Sequence, residues 1–327
     1  MTPKKFKIQD TTPLCRLNGP TIREALRRAT RELEGQNLRS PRQDAELILM
    51  SVLECSRAFL FAHSGHPLTE SQFQRFEEWL QRRLQHYPLQ YLRGHQEFFG
   101  REFVVTPAVL VPRPETELLV EVALEVLSRS AALRVVEVGS GSGCLGLSLL
   151  CENPRLSLTA TDISEEALKV TRLNAERLDC LQRLEALQGD GLTPVLDRGR
   201  IYDLLLSNPP YGSTREEDLV DPGVLRHEPR HAVFAGESGL EVYQKIFQDA
   251  HRILRPKAAI AVELGYGQAE AVRKSALERG WKLIDLRQDL AGIDRVALFL
   301  PIGDGSSGLQ PPASGLRSIR PCPRLPE

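Results

Sequence analysis

The chain has 327 residues, 41% of them hydrophobic, and a formal net charge of −1, which excludes a disordered protein and supplies apolar material for one large domain plus a smaller one. No apolar run approaches the ~18 residues that would cross a bilayer, and the opening MTPKKFKIQDTTPLCRLNGP lacks the apolar centre of a secretory signal, so the expectation is no membrane association and a cytoplasmic address. Residues 1–100 carry 15 Lys and Arg against 11 Asp and Glu, leaving −5 for the remainder, a balance that argues against a large non-specific nucleic-acid surface.

From Thr21 to about residue 85 apolar residues recur at helical spacing, as in Ile22, Leu26 and Ala29, then Ala45, Ile48, Leu49 and Val52, then Phe73, Phe76, Trp79, Leu80 and Leu84. Ser40-Pro41, and Thr69 with Gln72 three residues on, mark helix starts. A small helical domain follows from this pattern. Residues 86–113 change character: EFF and EFVV flank Gly100 and predict a hairpin joining two domains.

Beyond Pro114 helical stretches alternate with short apolar runs. Strands are expected at 134–138, 157–161, 202–206, 259–263, 282–285 and 296–300, with helices at 114–127, 165–178 and 239–254 among them. That alternation predicts an α/β fold with a mostly parallel sheet covered on both faces. After Pro301 the chain is rich in Gly, Ser and Pro and reads as a disordered tail. Six cysteines, at 15, 55, 144, 151, 180 and 322, form no C-x-x-C pair, and neither a zinc site nor a disulfide framework is expected.

RVVEVGSGSGCLGLSLL is a strand, a glycine-rich turn and a helix. Its small residues admit a ligand close to the backbone, and free N–H groups at the helix start would favour an anionic or carboxylate-bearing group. Gly141-x-Gly143-x-x-Gly146 also satisfies the dinucleotide pattern. Asp162 ends the next strand, where its carboxylate can accept two hydrogen bonds from ribose hydroxyls. A nucleoside cofactor is expected, with nicotinamide and S-adenosylmethionine both open on these residues.

The run 202–207 stops at Asn208-Pro209-Pro210-Tyr211, at the carboxyl edge of the sheet. Two prolines remove two backbone donors, so no local turn consumes the Asn208 and Pro209 carbonyls. Together with the Asn208 side-chain oxygen and the flat face of Tyr211, these acceptors suit a planar substrate bearing an NH₂ group. Alignment of that nitrogen with an electrophilic methyl group would carry the reaction. A dehydrogenase has no comparable use for the arrangement.

The combination resembles the class I S-adenosylmethionine-dependent methyltransferases, with N-P-P-Y as the signature of amino-nitrogen methylation. More narrowly, the chain resembles the PrmC/HemK family, the release factor N5-glutamine methyltransferases. Four further stretches carry that likeness: PLQYLRGHQEFFGREFVVTPAVLVPRPETELLVE at 88–121, HEPRHAVFAGESGLEVYQKI at 227–246, VELGYGQ at 262–268 and DLAGIDRVALF at 289–299. The segment through Arg113-Pro114-Glu115-Thr116-Glu117 is far more specific than the glycine turn.

The resemblance implies a seven-stranded, mostly parallel Rossmann-like sheet with a small N-terminal helical-bundle domain. It divides the chain into an extension at 1–19, a substrate-docking helical domain at 20–85, a hairpin linker at 86–113, a methyltransferase domain at 114–301 and a tail at 302–327. It implies S-adenosylmethionine as cofactor, no metal, Gly139, Ser140, Gly141, Ser142 and Gly143 around its methionine and ribose, and Asp162 on the ribose hydroxyls. Gly191 stands where relatives often carry a larger residue beside the adenine, and Leu192 is the expected substitute. Asn208 and Pro209 would hold the substrate amide, with Pro210 and Tyr211 packing on it. Glu137 would orient the cofactor's amino group, and Arg113 and Glu117 would brace a loop over the site or pair with each other. The implied partner is a class 1 peptide chain release factor, methylated on the Gln of its Gly-Gly-Gln loop by a monomer with no direct nucleic-acid substrate. The same chemistry serves a ribosomal-protein glutamine or adenine N6 in DNA, and a cofactor-sensing adaptor without catalysis would show a damaged N-P-P-Y or a lost Asp162.

Overall fold

The computed structural model describes residues 19–36, 38–127 and 134–303. The expected N-terminal extension up to residue 18 and the expected tail from residue 304 lie outside the described residues. The chain divides into two compact units, one ending at Arg93 and the other beginning at Gly94.

In the smaller unit, helices span Ile22–Glu34, Pro41–Leu53, Arg57–Ala62, Glu70–Leu84 and Leu89–Arg93. Thr69 and Gln72 form the expected capping box, and Thr21 with Glu24 forms a second one. Pro41 takes the first helical position after Ser40, where its missing N–H costs no intrahelical bond. Ala29, Leu33, Ile48, Leu49, Phe76 and Leu80 fill the core, while Leu26, Phe73 and Leu84 pack half-buried at its rim. Asp44 and Glu46 are also buried, but each is paired: Arg83 Nε lies 2.8 Å from Asp44, and Arg42 and Arg57 reach Glu46 at 3.1 and 2.8 Å.

The larger unit opens with the hairpin of His95–Phe98 and Arg101–Val104, closed by Phe99 and Gly100 at φ +51° and +70°. Two positive φ values give the backbone twist that a two-residue hairpin needs. Gly100 adopts this freely, whereas Phe99 is held there by donating its N–H to Glu117 Oε1 at 2.8 Å.

Seven strands form the main sheet: β1 Arg134–Val138, β2 Ser157–Asp162, β3 Leu184–Gln188, β4 Tyr202–Ser207, β5 Leu254–Glu263, β6 Trp281–Gln288 and β7 Asp294–Pro301. Their spatial order is β6-β7-β5-β4-β1-β2-β3, with β1 to β5 parallel and β7 antiparallel to both neighbours. The strand that sequence patterning did not mark is β3: LEALQ has no β-branched residue, and at the sheet edge it is only half-buried. Along β4, Leu204 and Leu206 enter one core and Leu205 the opposite one, so both faces of the sheet are covered.

Two helix expectations change in detail. The stretch 114–127 is a 3-10 turn, Pro114–Thr116, followed by the helix Glu117–Leu127. The helix expected at 239–254 covers Glu241–Asp249: Gly239 stands at φ +77°, a 3-10 turn takes Ala250–Arg252, and Leu254 already begins β5. The helix expected at 165–178 runs Glu165–Arg177 with Leu178 as its cap.

Candidate active site

Register aligns the site. Val138 pairs with Thr161 on one side and Ser207 on the other, and Ser207 pairs with Val262. The residues that follow these positions, Gly139, Asp162, Asn208 and Glu263, therefore leave neighbouring strands at one edge of the sheet. The strand order reverses on either side of β1, which opens a crevice at these carboxyl ends. Ser207 Oγ locks the β1/β4 junction by donating to the Val138 carbonyl at 2.8 Å.

The turn after β1 needs its glycines: Gly139, Gly141 and Gly143 have φ of +75°, +55° and +79°. Its N–H groups are largely spent inside the protein. Gly139 and Ser140 donate to the Thr161 carbonyl at 2.8 and 3.1 Å, Gly143 to the Ser140 carbonyl at 2.7 Å, and Gly141 to Asp162 Oδ2 at 2.9 Å. A pyrophosphate cradle on the turn itself would require those donors to be free, which weakens the nicotinamide alternative; the expectation of an anionic or carboxylate-bearing group at the helix start concerns other donors, those around Cys144. Thr171 and Asn174, from the helix Glu165–Arg177, cap the turn's carbonyls: Thr171 Oγ1 donates to Gly141 at 2.9 Å and Asn174 Nδ2 to Ser142 at 2.9 Å.

Asp162 is buried, and each carboxylate oxygen takes one N–H, from Gly141 and from Ser164 at 2.9 Å each. Each keeps a lone pair for a further donor. The cap of the following helix is Ser164, whose hydroxyl accepts from Ala167.

A cavity of about 300 Å³ lies over these strand ends, lined by Gly139, Ser140, Gly141, Ser142, Asp162, Gly191, Asn208 and Pro210, a size within the range of ~300–1,000 Å³ that small-molecule sites occupy. Gly143, Pro209 and Tyr211 are not in its wall. A Cβ at Gly143 would stand 2.9 Å from Leu147 Cδ1, so that glycine serves close packing of the helix start. Leu192 is fully buried in the core that also holds Tyr243 and is not in the cavity wall. Ile163, 56% exposed and next to Asp162, does.

Glu137 lines the cavity with its carboxyl almost wholly buried. Burial pushes it up to about 8; the Gly146 N–H opposes that rise and the nearby Asp162 charge adds to it. Its Oε2 has no hydrogen-bond partner among the described residues.

At the end of β4, Asn208 Nδ2 donates to Thr116 Oγ1 at 3.1 Å. Among the described residues no backbone N–H takes the Asn208 or Pro209 carbonyl. The Tyr211 ring lies against Gly265, where a Cβ would come within 2.8 Å of Cδ2, and the Tyr211 carbonyl accepts from Gln268 Nε2 at 2.9 Å. Burial and then the Glu263 charge push the Tyr211 phenol up to about 12, so it is neutral.

Arg113 and Glu117 do not pair. Arg113 Nη2 lies 2.6 Å from Glu228 Oε1, and Glu228 Oε2 accepts the Val111 N–H at 3.2 Å. Glu228 thus ties the segment carrying Ala108 to Arg113 to the segment carrying His231 to Ala235, and both line the cavity. Thr116, Glu228, Glu263 and Asn174 were not singled out one by one from sequence, although the first three lie inside the quoted PETE, HEPRH and VELG stretches.

Residues 24–94 match the PrmC N-terminal domain and residues 115–224 the methyltransferase small domain. A release factor glutamine methyltransferase of Koribacter versatilis is 41% identical over 278 residues, covering 85% of this chain and 98% of its own. Its counterparts in Moorella thermoacetica and Bordetella pertussis are 40% and 41% identical, covering 85% and 79% of this chain and 98% and 94% of their own. The solved catalytic domain of hMettl16, in complex with MAT2A 3′UTR hairpin 6, matches at TM-score 0.50 and 15% identity over 67% of this chain and 91% of that one, a likeness of fold. No helix among the described residues is long and apolar enough to cross a membrane.

Proposed function

This chain belongs to the family of release factor glutamine methyltransferases, and from that premise we propose that it methylates the N5 side-chain nitrogen of the Gln in the Gly-Gly-Gln loop of class 1 peptide chain release factors, using S-adenosylmethionine. The observation that carries the reading is the pairing of Val138 with Ser207. It sets a nucleoside-type turn and the Asn-Pro-Pro segment side by side over one cavity.

The cavity's chemistry fits the cofactor. Asp162 keeps two lone pairs for ribose hydroxyls, the unpartnered Glu137 Oε2 suits an ammonium group, and Ile163 offers an apolar face for the base beside the bare Gly191. When bound, S-adenosylmethionine supplies an electrophilic methyl group. The protein's part is positioning, because an amide nitrogen with a delocalised lone pair reacts only when aligned. We assign Asn208 Oδ1 and the Pro209 carbonyl to the two amide hydrogens and Tyr211 to the amide plane, although of these three only Asn208 is in the cavity wall. Holding reactants in this way contributes roughly 7–11 kcal/mol in favourable cases. Once methylated, the nitrogen is acidic and gives its proton to water or a nearby carbonyl, so no general base is required.

We assign docking of the release factor to the helical domain at 20–85, and a monomeric, cytoplasmic enzyme without a nucleic-acid substrate. The acidic balance beyond residue 100 and the work of release factors in translation support this. Incubation with cofactor and unmodified release factor, followed by mass spectrometry of the loop peptide, is the test. One added methyl group on the Gln is expected, and an unmodified peptide sinks the reading. Asn208→Ala abolishes transfer and leaves cofactor binding measurable.

A further inference from the structure

The Asn208 amide presents opposite chemistry in its two orientations: the oxygen accepts from a substrate NH₂ group, and the nitrogen would repel it. Something must choose between them. Asn208 Nδ2 is committed to Thr116 Oγ1 at 3.1 Å, and the Thr116 hydroxyl stands within reach of the buried Glu263 carboxylate, whose ionised form it favours. The direction of this chain follows from its far end. In its ionised form, which the Thr116 hydrogen bond and the Arg295 charge favour, the Glu263 carboxylate only accepts, so it takes the single hydroxyl proton of Thr116 and leaves that oxygen nothing but lone pairs for Asn208. Only Nδ2 can meet a lone pair, and Oδ1 is thereby turned toward the cavity.

We propose that Glu263 and Thr116 are positioning residues that fix the polarity of Asn208, so that its side-chain oxygen faces the substrate amide; the inference rests on the reading of Asn208 as an amide-binding residue. The burial pattern supports it independently. Thr116 and Glu263 are each 2% exposed, and Glu263 Oε2 finds no hydrogen-bond partner among the described residues. A carboxylate in such a place is costly unless its charge is used. Burial raises Glu263 to about 7, against the Thr116 hydrogen bond and the Arg295 charge that favour the ionised form. Register explains how three distant segments meet: Ser207 and Val262 are partners, so Asn208 and Glu263 leave adjacent strands, and Thr116 stands at the end of the 3-10 turn beside them.

The test compares Thr116→Val, which keeps the shape and removes the hydroxyl, with Glu263→Leu, which removes the acceptor and frees the Thr116 proton to turn to Asn208 Oδ1. Both should lower kcat on the release factor about a hundredfold, the scale of a misaligned reacting group, with cofactor affinity unchanged by calorimetry. Thr116→Ser should restore turnover. Wild-type turnover in Glu263→Leu beside an inactive Asn208→Ala overturns this inference alone, and activity in Asn208→Ala overturns the reading beneath it. Loss of cofactor affinity together with turnover marks a merely structural role and also overturns the inference. Glu263→Leu decides the matter by itself if Thr116→Val does not fold.

Discussion

Asp162 Oδ2 accepts the Gly141 N–H at 2.9 Å, so the acid ending β2 and the turn after β1 hold each other in place. Replacing Asp162 by Ala removes this brace as well as the proposed ribose acceptors. Charge-assisted hydrogen bonds contribute about 1.5–3 kcal/mol each, and cofactor affinity should fall at least tenfold in calorimetric titration. Asp162→Asn retains one acceptor oxygen and should lose less. Equal affinity in wild type and Asp162→Ala would remove Asp162 from the cofactor site.

Glu228 joins two covering segments through Arg113 Nη2 and the Val111 N–H. In Glu228→Ala the Val111 donor is left buried and unpaired, at a cost of about 1–3 kcal/mol. Arg113 is partly solvated, so its share of the loss is small. Cofactor should dissociate several-fold faster in stopped-flow measurements while the methyl-acceptor preference is retained. An unchanged dissociation rate would show that these segments do not retain the cofactor.

How far the sequence spoke for itself follows from the reach of each signal. Alternation of helices with short strand-like runs marked six of seven strands; β1, β2 and β4 are buried along almost their whole length, whereas β3 sits half-buried at an edge with no β-branched residue. Gly139, Asp162 and Asn208 were legible because each ends or directly follows a strand at a ligand-binding edge. Thr116 and Glu263 were not, since their role lies in a chain of hydrogen bonds joining segments 92 and more residues apart, and no local spacing encodes it. The Arg113 partner was missed for the same reason: Glu228 is 115 residues away, while Glu117, four residues along, serves the hairpin.

Asn174 is fully buried and joins three backbone groups: its Nδ2 donates to the Ser142 and Val104 carbonyls at 2.9 and 3.0 Å, and its Oδ1 accepts the Val104 N–H at 2.8 Å. It couples the hairpin to the glycine turn after β1. Asn174→Leu, similar in size and apolar, leaves all three groups unpaired, and at about 1–3 kcal/mol for each buried polar group the loss should exceed that of any surface change. A lower thermal midpoint with weakened cofactor binding is expected. A midpoint equal to wild type would mean that water replaces Asn174 without penalty.

Glu137 gives the protein a pH signature. Its carboxyl is pushed from its ordinary 4.5 up to about 8 by burial, so between those values the native state holds a proton that the unfolded chain has released. The unfolded state then binds fewer protons and stability falls as pH rises: the contribution is full below the unfolded value and is lost through the folded one. Glu263, raised to about 7, adds to this over a narrower window. The ligand-free thermal midpoint should therefore decline from about pH 5 to about pH 8, and less steeply in Glu137→Gln. A cofactor ammonium beside Glu137 favours the ionised carboxylate, so binding near neutrality should expel a proton. Calorimetry in buffers of different ionisation enthalpy reads that proton directly. Wild type should show the buffer dependence and Glu137→Gln should not; a wild-type binding enthalpy independent of buffer would separate Glu137 from the cofactor's amino group.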